Sequence, residues 1–571
     1  IYFKTAPNSN LKLKEMKNIN ATINIILIML TTSFTVGFAE ELPWYASGNG
    51  GVVAAGAQAS TRAGIDMLQK GGNAVDAAVA TIFNLAVSDY GLFCIGGEVP
   101  FMFYNSKTKD IVVFNGMGGA PGDPKAIEWY YANGIPSTGI KSATVPSAVS
   151  TLLTALEQKG SMSFEQIISP TLLLLDAGGK SWYPNLAATL RKLVQTEKST
   201  SGTREQKIRA ARDRFYRGDI ADELNAYYIS SGAFLRKADL EAHATKVEKP
   251  VSIQYRGYTV NKCNTWTQGP VLLQSLRLLE NFDLKSMGPF SPNYIHVSVE
   301  AMKLAYADRD KYYGDPDFVT VPINQLLSDE YTKIRFPLID MKQASQQIRP
   351  GDPIRMEAFS GNGQYWPGEK GTTNCVVADR WGNVVAATPS ANPDYGICES
   401  LGIAHNTRLS SLNTQKGHPN ALEPGKRPRI TLTPTIVLKD GKPFLGMSVA
   451  GGDMQDQVSL QLVLDLIEFG MMPKDAVTAP RFLTKHIQDS FNPSPDPVIR
   501  MGKISGVEIN STDNLLIGNL EERGHKLAGS DATLAWPVMI FIDQKTGISY
   551  GAGQPAKDGS GKTCAAINVV R

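Results

Sequence analysis

Apolar residues recur at i, i+3 and i+4 over residues 61–69, 74–87, 146–158, 164–177 and 292–312, and this period predicts five helices in the first part of the chain. Short apolar runs at 100–104 and 111–115 read as strands between them. Gly71-Gly72-Asn73 falls between the first two helices, where glycine takes the positive φ of a helix C-cap. The Lys-Ser/Thr ending of a phosphate-binding loop is missing there, so the reading is structural. From 341 to 370 the period dissolves into polar, Gly- and Pro-bearing sequence (QASQQIRPGDPIRMEAFSGNGQYWPGEK at its core), which reads as a mobile segment. Beyond it come alternating strands and tight turns. Residues 373–378 and 384–387 flank Arg380-Trp381-Gly382-Asn383, 435–438 and 444–449 flank Asp440-Gly441, and 538–542 and 548–551 flank a turn ending at Gly547. Three hairpins predict mainly antiparallel sheet, and a helical period over 455–469 predicts a helix covering it. The expected class is α/β (α+β), a layered sandwich with segments from both halves. No repeat of 20 to 50 residues is present, which excludes a solenoid or propeller.

Composition removes several function classes. The chain has 571 residues, with 57 Lys+Arg against 54 Asp+Glu, 19% charged and 42% hydrophobic, so neither disorder nor a nucleic-acid platform is expected. Residues 1–15 read as sequence upstream of a start at Met16. From there Lys17, an apolar run over 23–38 and Gly37-Phe38-Ala39 before Glu40 read as a secretory signal peptide over 16–39, which predicts export to periplasm or medium. The competing reading is a membrane anchor, but Thr31, Thr32, Ser33 and Thr35 leave the run short of the ~20 apolar residues of a span. No stable membrane span is expected after cleavage. Five cysteines (Cys94, Cys263, Cys375, Cys398, Cys564) allow one or two bridges at most. Six histidines (His243, His296, His405, His418, His486, His525) never fall at metal-ligand spacing, so neither a metal nor another cofactor is expected, and His296 with Glu300 reads as a solvated helix pair.

The most informative point is Gly371-Thr372-Thr373-Asn374, where the polar stretch stops and a strand begins. If the bond before Thr372 is cut, Thr372 gains an α-amine, of pKa about 7.7 to 8.0 in free peptides, beside its own hydroxyl. Nucleophile and base then share one residue. Gly371 tolerates the distorted backbone needed when that hydroxyl attacks the preceding carbonyl. Thr373 is the competing candidate by chemistry, and a strand-initiating threonine pair is the plain alternative.

Several blocks bear on the choice: GGNAVDAAVA at 71–80, EAMKLAYADRDKYYGDP at 300–316, GTTNCVVADRWGN at 371–383, GKRPRITLTPTIVLKDGKPF at 425–444, AGGDMQDQ at 450–457 and APRF at 479–482. In order and spacing the chain resembles the γ-glutamyltransferase family of N-terminal-nucleophile hydrolases. The resemblance implies a four-layer αββα sandwich and a precursor that cleaves itself between Gly371 and Thr372. The large subunit (40–371) and the small one (372–571) would stay associated as one domain. It implies Thr372 as nucleophile, Ser390 as the hydroxyl bonded to it, Asn392 as a substrate-orienting amide and Gly451-Gly452 as the oxyanion hole. The last agrees with the position of those glycines at a strand-to-helix turn, where unpaired amides converge. Gly96-Gly97 belongs to a glycine-rich turn with a structural role. The implied substrate is a small-molecule amide or peptide, with glutathione as the type.

The chain departs from the family at the acyl pocket. Asn115 or Gly116 stands where an arginine gripping the substrate α-carboxylate is expected, Ser411 replaces an aspartate for the α-ammonium, and Ile430-Thr431 replaces a Ser-Ser pair. Arg408 brings a cation near the former aspartate, which suits a substrate carboxylate better than an ammonium; the alternatives are a surface position or a pair with Glu399. The loop from 412 to 425 is short, which predicts an open cleft. Three functions follow: hydrolysis or transfer of γ-glutamyl amides, an acylase for another carboxylate-bearing amide, or a secreted binding protein that kept the fold without the catalysis.

Overall fold

The computed structural model describes residues 41–360, 372–391, 393, 396–496, 500, 502–556 and 561–568. The expected leader at 16–39, Gly371 and Asn392 lie outside the described residues. The chain divides after Leu42, and the fold is that of the unit Pro43–Arg571.

Its centre is a pair of seven-stranded sheets in which every neighbouring pair is antiparallel. The first runs in the spatial order Thr563–Ile567, Gly51–Ala55, Cys375–Asp379, Val384–Ala387, Phe101–Asn105, Asp110–Asn115, Lys246–Glu248. The second runs Tyr45–Gly48, Ser549–Gly553, Trp536–Ile542, Lys442–Ala450, Thr435–Lys439, Tyr258–Lys262, Val251–Tyr255. Both sheets take strands from either side of Thr372, so neither half of the chain completes a sheet alone.

The sheets face each other across Val52, Val376, Val384 and Ala386 on one side and Ile436, Val538 and Ile540 on the other. Helices Gln58–Gln69 and Ala74–Ser88 cover the outer face of the first sheet. Helices Pro270–Leu279 and Met454–Ile467, with Pro292–Tyr312 behind them, cover the second. The result is the αββα sandwich. Because each central strand is covered on both faces, GVVAA at 51–55 and CVVA at 375–378 are continuously apolar instead of alternating, and every residue of both strands is buried. Helix Ala74–Ser88 starts where Asn73 accepts from Val75 N and Asp76 N while Asp76 accepts from Asn73 N, a capping box.

All five helices and three hairpins of the sequence reading are present, with ends shifted by a few residues. Several further helices were not legible, among them Pro270–Leu279, Tyr183–Ser199, Arg204–Arg217 and Asp219–Ser230. Helix Arg204–Arg217 is strongly charged and buries only a narrow stripe of Ile208, Ala211, Phe215 and Tyr216. Two expectations are corrected. The described part of the supposedly mobile segment, 341–360, is docked: Arg349 donates to Glu300 at 2.9 Å and to Leu338 O at 2.6 Å, and Gly351 N donates to Asp308 at 2.9 Å. Arg349 and the Gly351 amide answer carboxylates on helix Pro292–Tyr312, while Lys342, Gln343, Gln346 and Arg355 stay exposed. For the same reason His296 and Glu300 are not a solvated pair but fully buried, His296 against His525 at 2.8 Å and Glu300 against Lys303 at 2.6 Å. The five cysteines are buried and free, with no bridge among them.

Candidate active site

Thr372 sits three residues ahead of strand Cys375–Asp379 and is 3% exposed. The next residue is tied on both sides. Thr373 N donates to Pro389 O at 2.9 Å and its hydroxyl donates to the Asp89 carboxylate, which also faces Lys562 Nζ at 3.6 Å. Gly56 N donates to Asn374 O, and a Cβ on Gly56 would collide with Thr373 Oγ1 and Asp89, so glycine there is a packing requirement. Asn374 crosses to the second sheet, donating to Ser448 Oγ at 3.1 Å, which lies 2.9 Å from Thr388 Oγ1. These bonds fix the backbone around Thr372, and among the described residues its hydroxyl meets one side-chain amide, that of Gln455, at 3.3 Å.

Strand Lys442–Ala450 ends at Gly451 and Gly452, whose φ values of 142° and 57° turn the chain into helix Met454–Ile467. Met454 N and Gln455 N close the first turn onto Gly451 O and Gly452 O. The turn is held from behind by Asp453, which meets the fully buried Arg309 at 2.6 Å and accepts from Ser490 N and Oγ. The helix N-terminus directs its amides and positive dipole end into the gap, an arrangement that stabilises negative charge.

Ser390 is bridged to Glu98, and Gly97 beside it has no room for a Cβ against Ser390 O. Gly96 is equally tight against Ala404 O, which accounts for both glycines by close backbone approach. Ser390 Oγ accepts from Arg408 at 2.6 Å, and the same guanidinium bonds Glu98 at 2.6 Å. Arg408 is 4% and Glu98 0% exposed, so this is a buried ion pair. Burial pushes the Glu98 carboxyl up to about 7, against the downward pull of Arg408. The partner of Arg408 is thus Glu98 and not Glu399, it is not a surface residue, and its charge is compensated from within the protein.

The other predicted pocket residues are buried and neutral. Ser411 Oγ and Thr431 Oγ1 have no hydrogen-bond partner among the described residues. Asn115 ends its strand and accepts from Met117 N at 3.3 Å. Sequence reasoning missed Asp89, Glu98, Ser448 and Gln455. Gln455 stood inside the block AGGDMQDQ and Glu98 directly after Gly96-Gly97, so proximity to the predicted turns was the available signal.

A family model described as Gamma-glutamyltranspeptidase matches residues 60–181 and 173–564. The chain is 30% identical over 551 residues to a glutathione hydrolase proenzyme of Bacillus subtilis, covering 90% of this chain and 91% of that one. It is 29% identical over 485 residues to the Acylase ACY 1 proenzyme of a Pseudomonas species, covering 77% and 83%. The crystal structure of cephalosporin acylase from Bacillus halodurans superimposes with a TM-score of 0.77 at 26% identity, covering 94% of this chain and 99% of that one. With its sandwich, its Thr372 junction and its glycine turn, the chain belongs to the γ-glutamyltranspeptidase family and is a self-processing amidohydrolase of the N-terminal-nucleophile type.

Proposed function

We propose that Thr372 is the nucleophile, freed when its hydroxyl attacks the Gly371 carbonyl and the precursor divides into subunits 40–371 and 372–571. The observation that carries this is the contrast between the two threonines: the Thr373 hydroxyl is committed to the Asp89 carboxylate, whereas that of Thr372, at the predicted cleavage junction, meets only the neutral amide of Gln455 among the described residues. In the mature enzyme the Thr372 α-amine takes the hydroxyl proton, Oγ attacks the substrate amide carbon, and the tetrahedral oxyanion lies against the amides at Gly451-Gly452. The amine returns the proton to the leaving nitrogen. Water, or less readily an amine, then releases the acyl group. Ser390, held by Arg408, borders the reacting atoms, and Asn392 orients the substrate.

The acyl group we assign first is γ-glutamyl, as in glutathione, which the full-length similarity to a glutathione hydrolase proenzyme supports. A second reading, an acylase for another carboxylate-bearing amide, is favoured by the pocket side chains. Asn115, Ser411 and Thr431 supply hydroxyl and amide groups where a glutamyl zwitterion needs charges of both signs, and Arg408 is already neutralised by Glu98. The similarity to acylases supports it too. The apolar run at 23–38 supports export, and no helix among the described residues is long and apolar enough to cross a membrane.

N-terminal sequencing of the smaller fragment tests the nucleophile, and the expected first residue is Thr372. Thr372→Ala should remain one uncleaved, inactive chain; cleavage at another bond would overturn the assignment. A chromogenic γ-glutamyl anilide assayed beside a dicarboxylic monoamide decides the acyl group by which has the higher kcat/KM.

A further inference from the structure

The residue that meets the Thr372 hydroxyl has no part in the reading above. Gln455 is the second residue of helix Met454–Ile467, is fully buried, and brings its side-chain amide to 3.3 Å from Thr372 Oγ1. The other end of that amide lies 2.9 Å from Val449 O and 3.0 Å from Thr431 O. Carbonyl oxygens only accept, so if the amide oxygen faced them, three acceptors would meet with no proton between them. Turning the nitrogen toward both carbonyls satisfies its two N–H groups and leaves the oxygen facing Thr372. The Thr372 hydroxyl is then the donor and Gln455 Oε1 the acceptor.

We infer that Gln455 is a positioning residue for the Thr372 hydroxyl in the uncleaved precursor, an inference that rests on Thr372 being the nucleophile. Before cleavage Thr372 N is a peptide nitrogen, so the base that the mature enzyme carries on this residue does not yet exist. Gln455 holds the hydroxyl in one rotamer by accepting its proton in a hydrogen bond, which turns the oxygen lone pairs away from Gln455 and into the gap. A carboxamide is far too weak a base to keep the proton. In the step itself Oγ bonds to the Gly371 carbonyl carbon, the carbon–nitrogen bond breaks, and the hydroxyl proton passes through solvent water to the departing nitrogen, which becomes the α-amine. A second water then cleaves the ester, leaving the Gly371 carboxylate and restoring the Thr372 hydroxyl. Once the amine is free it competes with Gln455 for the hydroxyl proton, so Gln455 weighs more in self-cleavage than in later turnover. Its nitrogen meanwhile staples Thr431 to Val449, the residue two before the glycine turn.

The test follows conversion of freshly made full-length precursor into two fragments on denaturing gels. Wild type is compared with Gln455→Met, which keeps the length and loses the oxygen, and Gln455→Glu, which keeps an oxygen toward Thr372 and loses the two-pronged staple. The first residue of each small fragment is sequenced, and kcat and KM of cleaved material are measured on the best amide substrate. Loss of one orienting hydrogen bond should lengthen the self-cleavage half-time of Gln455→Met by about tenfold, with a smaller fall in kcat and KM unchanged. Gln455→Glu should cleave within about threefold of wild type, at a rate that varies with pH as the carboxyl titrates. A folded Gln455→Met with the wild-type half-time overturns the inference, and so does equal, pH-independent slowing of both variants, which would reduce Gln455 to a staple. Should Gln455→Met lack a cooperative thermal transition, the rate and pH profile of Gln455→Glu decide alone. A wild-type fragment beginning elsewhere than Thr372 would instead remove the reading on which this rests.

Discussion

The Arg408 guanidinium donates to the Ser390 hydroxyl at 2.6 Å while it pairs with Glu98 at the same distance, so the Ser390 hydroxyl is held by an ion pair that water does not reach. Removing one partner leaves the other charge buried and uncompensated, which costs about 3 to 5 kcal/mol. Arg408→Met should therefore lower unfolding free energy by about that amount. Adding Glu98→Gln should recover a large part of it, since two neutral groups need no partner. Urea titrations of the two single variants and the double variant measure the coupling, and additive losses would mean that the pair is not a unit.

Thr373 offers the complementary control for the nucleophile. Its hydroxyl is spent on Asp89 and its amide on Pro389 O. Thr373→Val keeps the amide bond and the β-branched shape and loses one hydrogen bond to a charged acceptor, worth about 1.5 to 3 kcal/mol. The variant should be less stable by roughly that amount and still cleave itself at 371/372, as mass measurement of both fragments would report. An uncleaved but folded Thr373→Val would move the nucleophile to 373.

The distinction between the two threonines shows what the sequence could carry. Periodicity sufficed for helices such as Ala74–Ser88 and Met454–Ile467 and for the hairpins because each long apolar face has one place to go. Helix Arg204–Arg217 escaped because its buried stripe is narrow and its charges pair with Glu157 and Asp219 far along or beside the chain. The same holds at the site. Thr372, Gly451 and Gly452 stand at boundaries that a linear reading detects, whereas the partner of Arg408 lies 310 positions away and only tertiary packing selects Glu98 over the nearby Glu399. The segment 341–360 reads as mobile for the same reason, since Arg349 and the Gly351 amide answer carboxylates on another element.

Two buried histidines in that region set an acid limit. His296 donates through Nε2 to Asp340 O at 2.7 Å, so its Nδ1 accepts from His525 Nε2–H at 2.8 Å, and a proton on Nδ1 would set N–H against N–H. Burial, with help from Lys303, pushes His525 down to about 3, and burial lowers His296 as well. Between the unfolded value of about 6.5 and those depressed values the unfolded chain binds more protons than the folded one, so stability rises with pH. It is fully present above about pH 6.5 and falls as the solution is acidified. His525→Gln, which can still donate to His296, should lose about 2 kcal/mol less than wild type between pH 6.5 and 4.5. Urea midpoints at the two pH values check this, and parallel losses would count against it.

Gly56 makes the sharpest packing prediction, because it joins stability to self-cleavage. Its amide holds Asn374 O at 3.1 Å, and the space a side chain would need is filled by Thr373 Oγ1 and Asp89. Gly56→Ala therefore forces either the Thr373–Asp89 bond open or the strand outward. Overpacking of this kind costs about 1 to 3 kcal/mol. Because Thr373 adjoins Thr372, the displacement should also slow precursor cleavage severalfold, since reacting groups lose rate steeply when misplaced by about 1 Å. Gly91, two residues beyond Asp89, has nothing within 4 Å of an added Cβ, so Gly91→Ala should change neither stability nor cleavage. Thermal midpoints and cleavage half-times of the pair decide the matter: a Gly56→Ala protein as stable and as fast as Gly91→Ala would show that the Thr373 anchor does not govern the geometry of the junction.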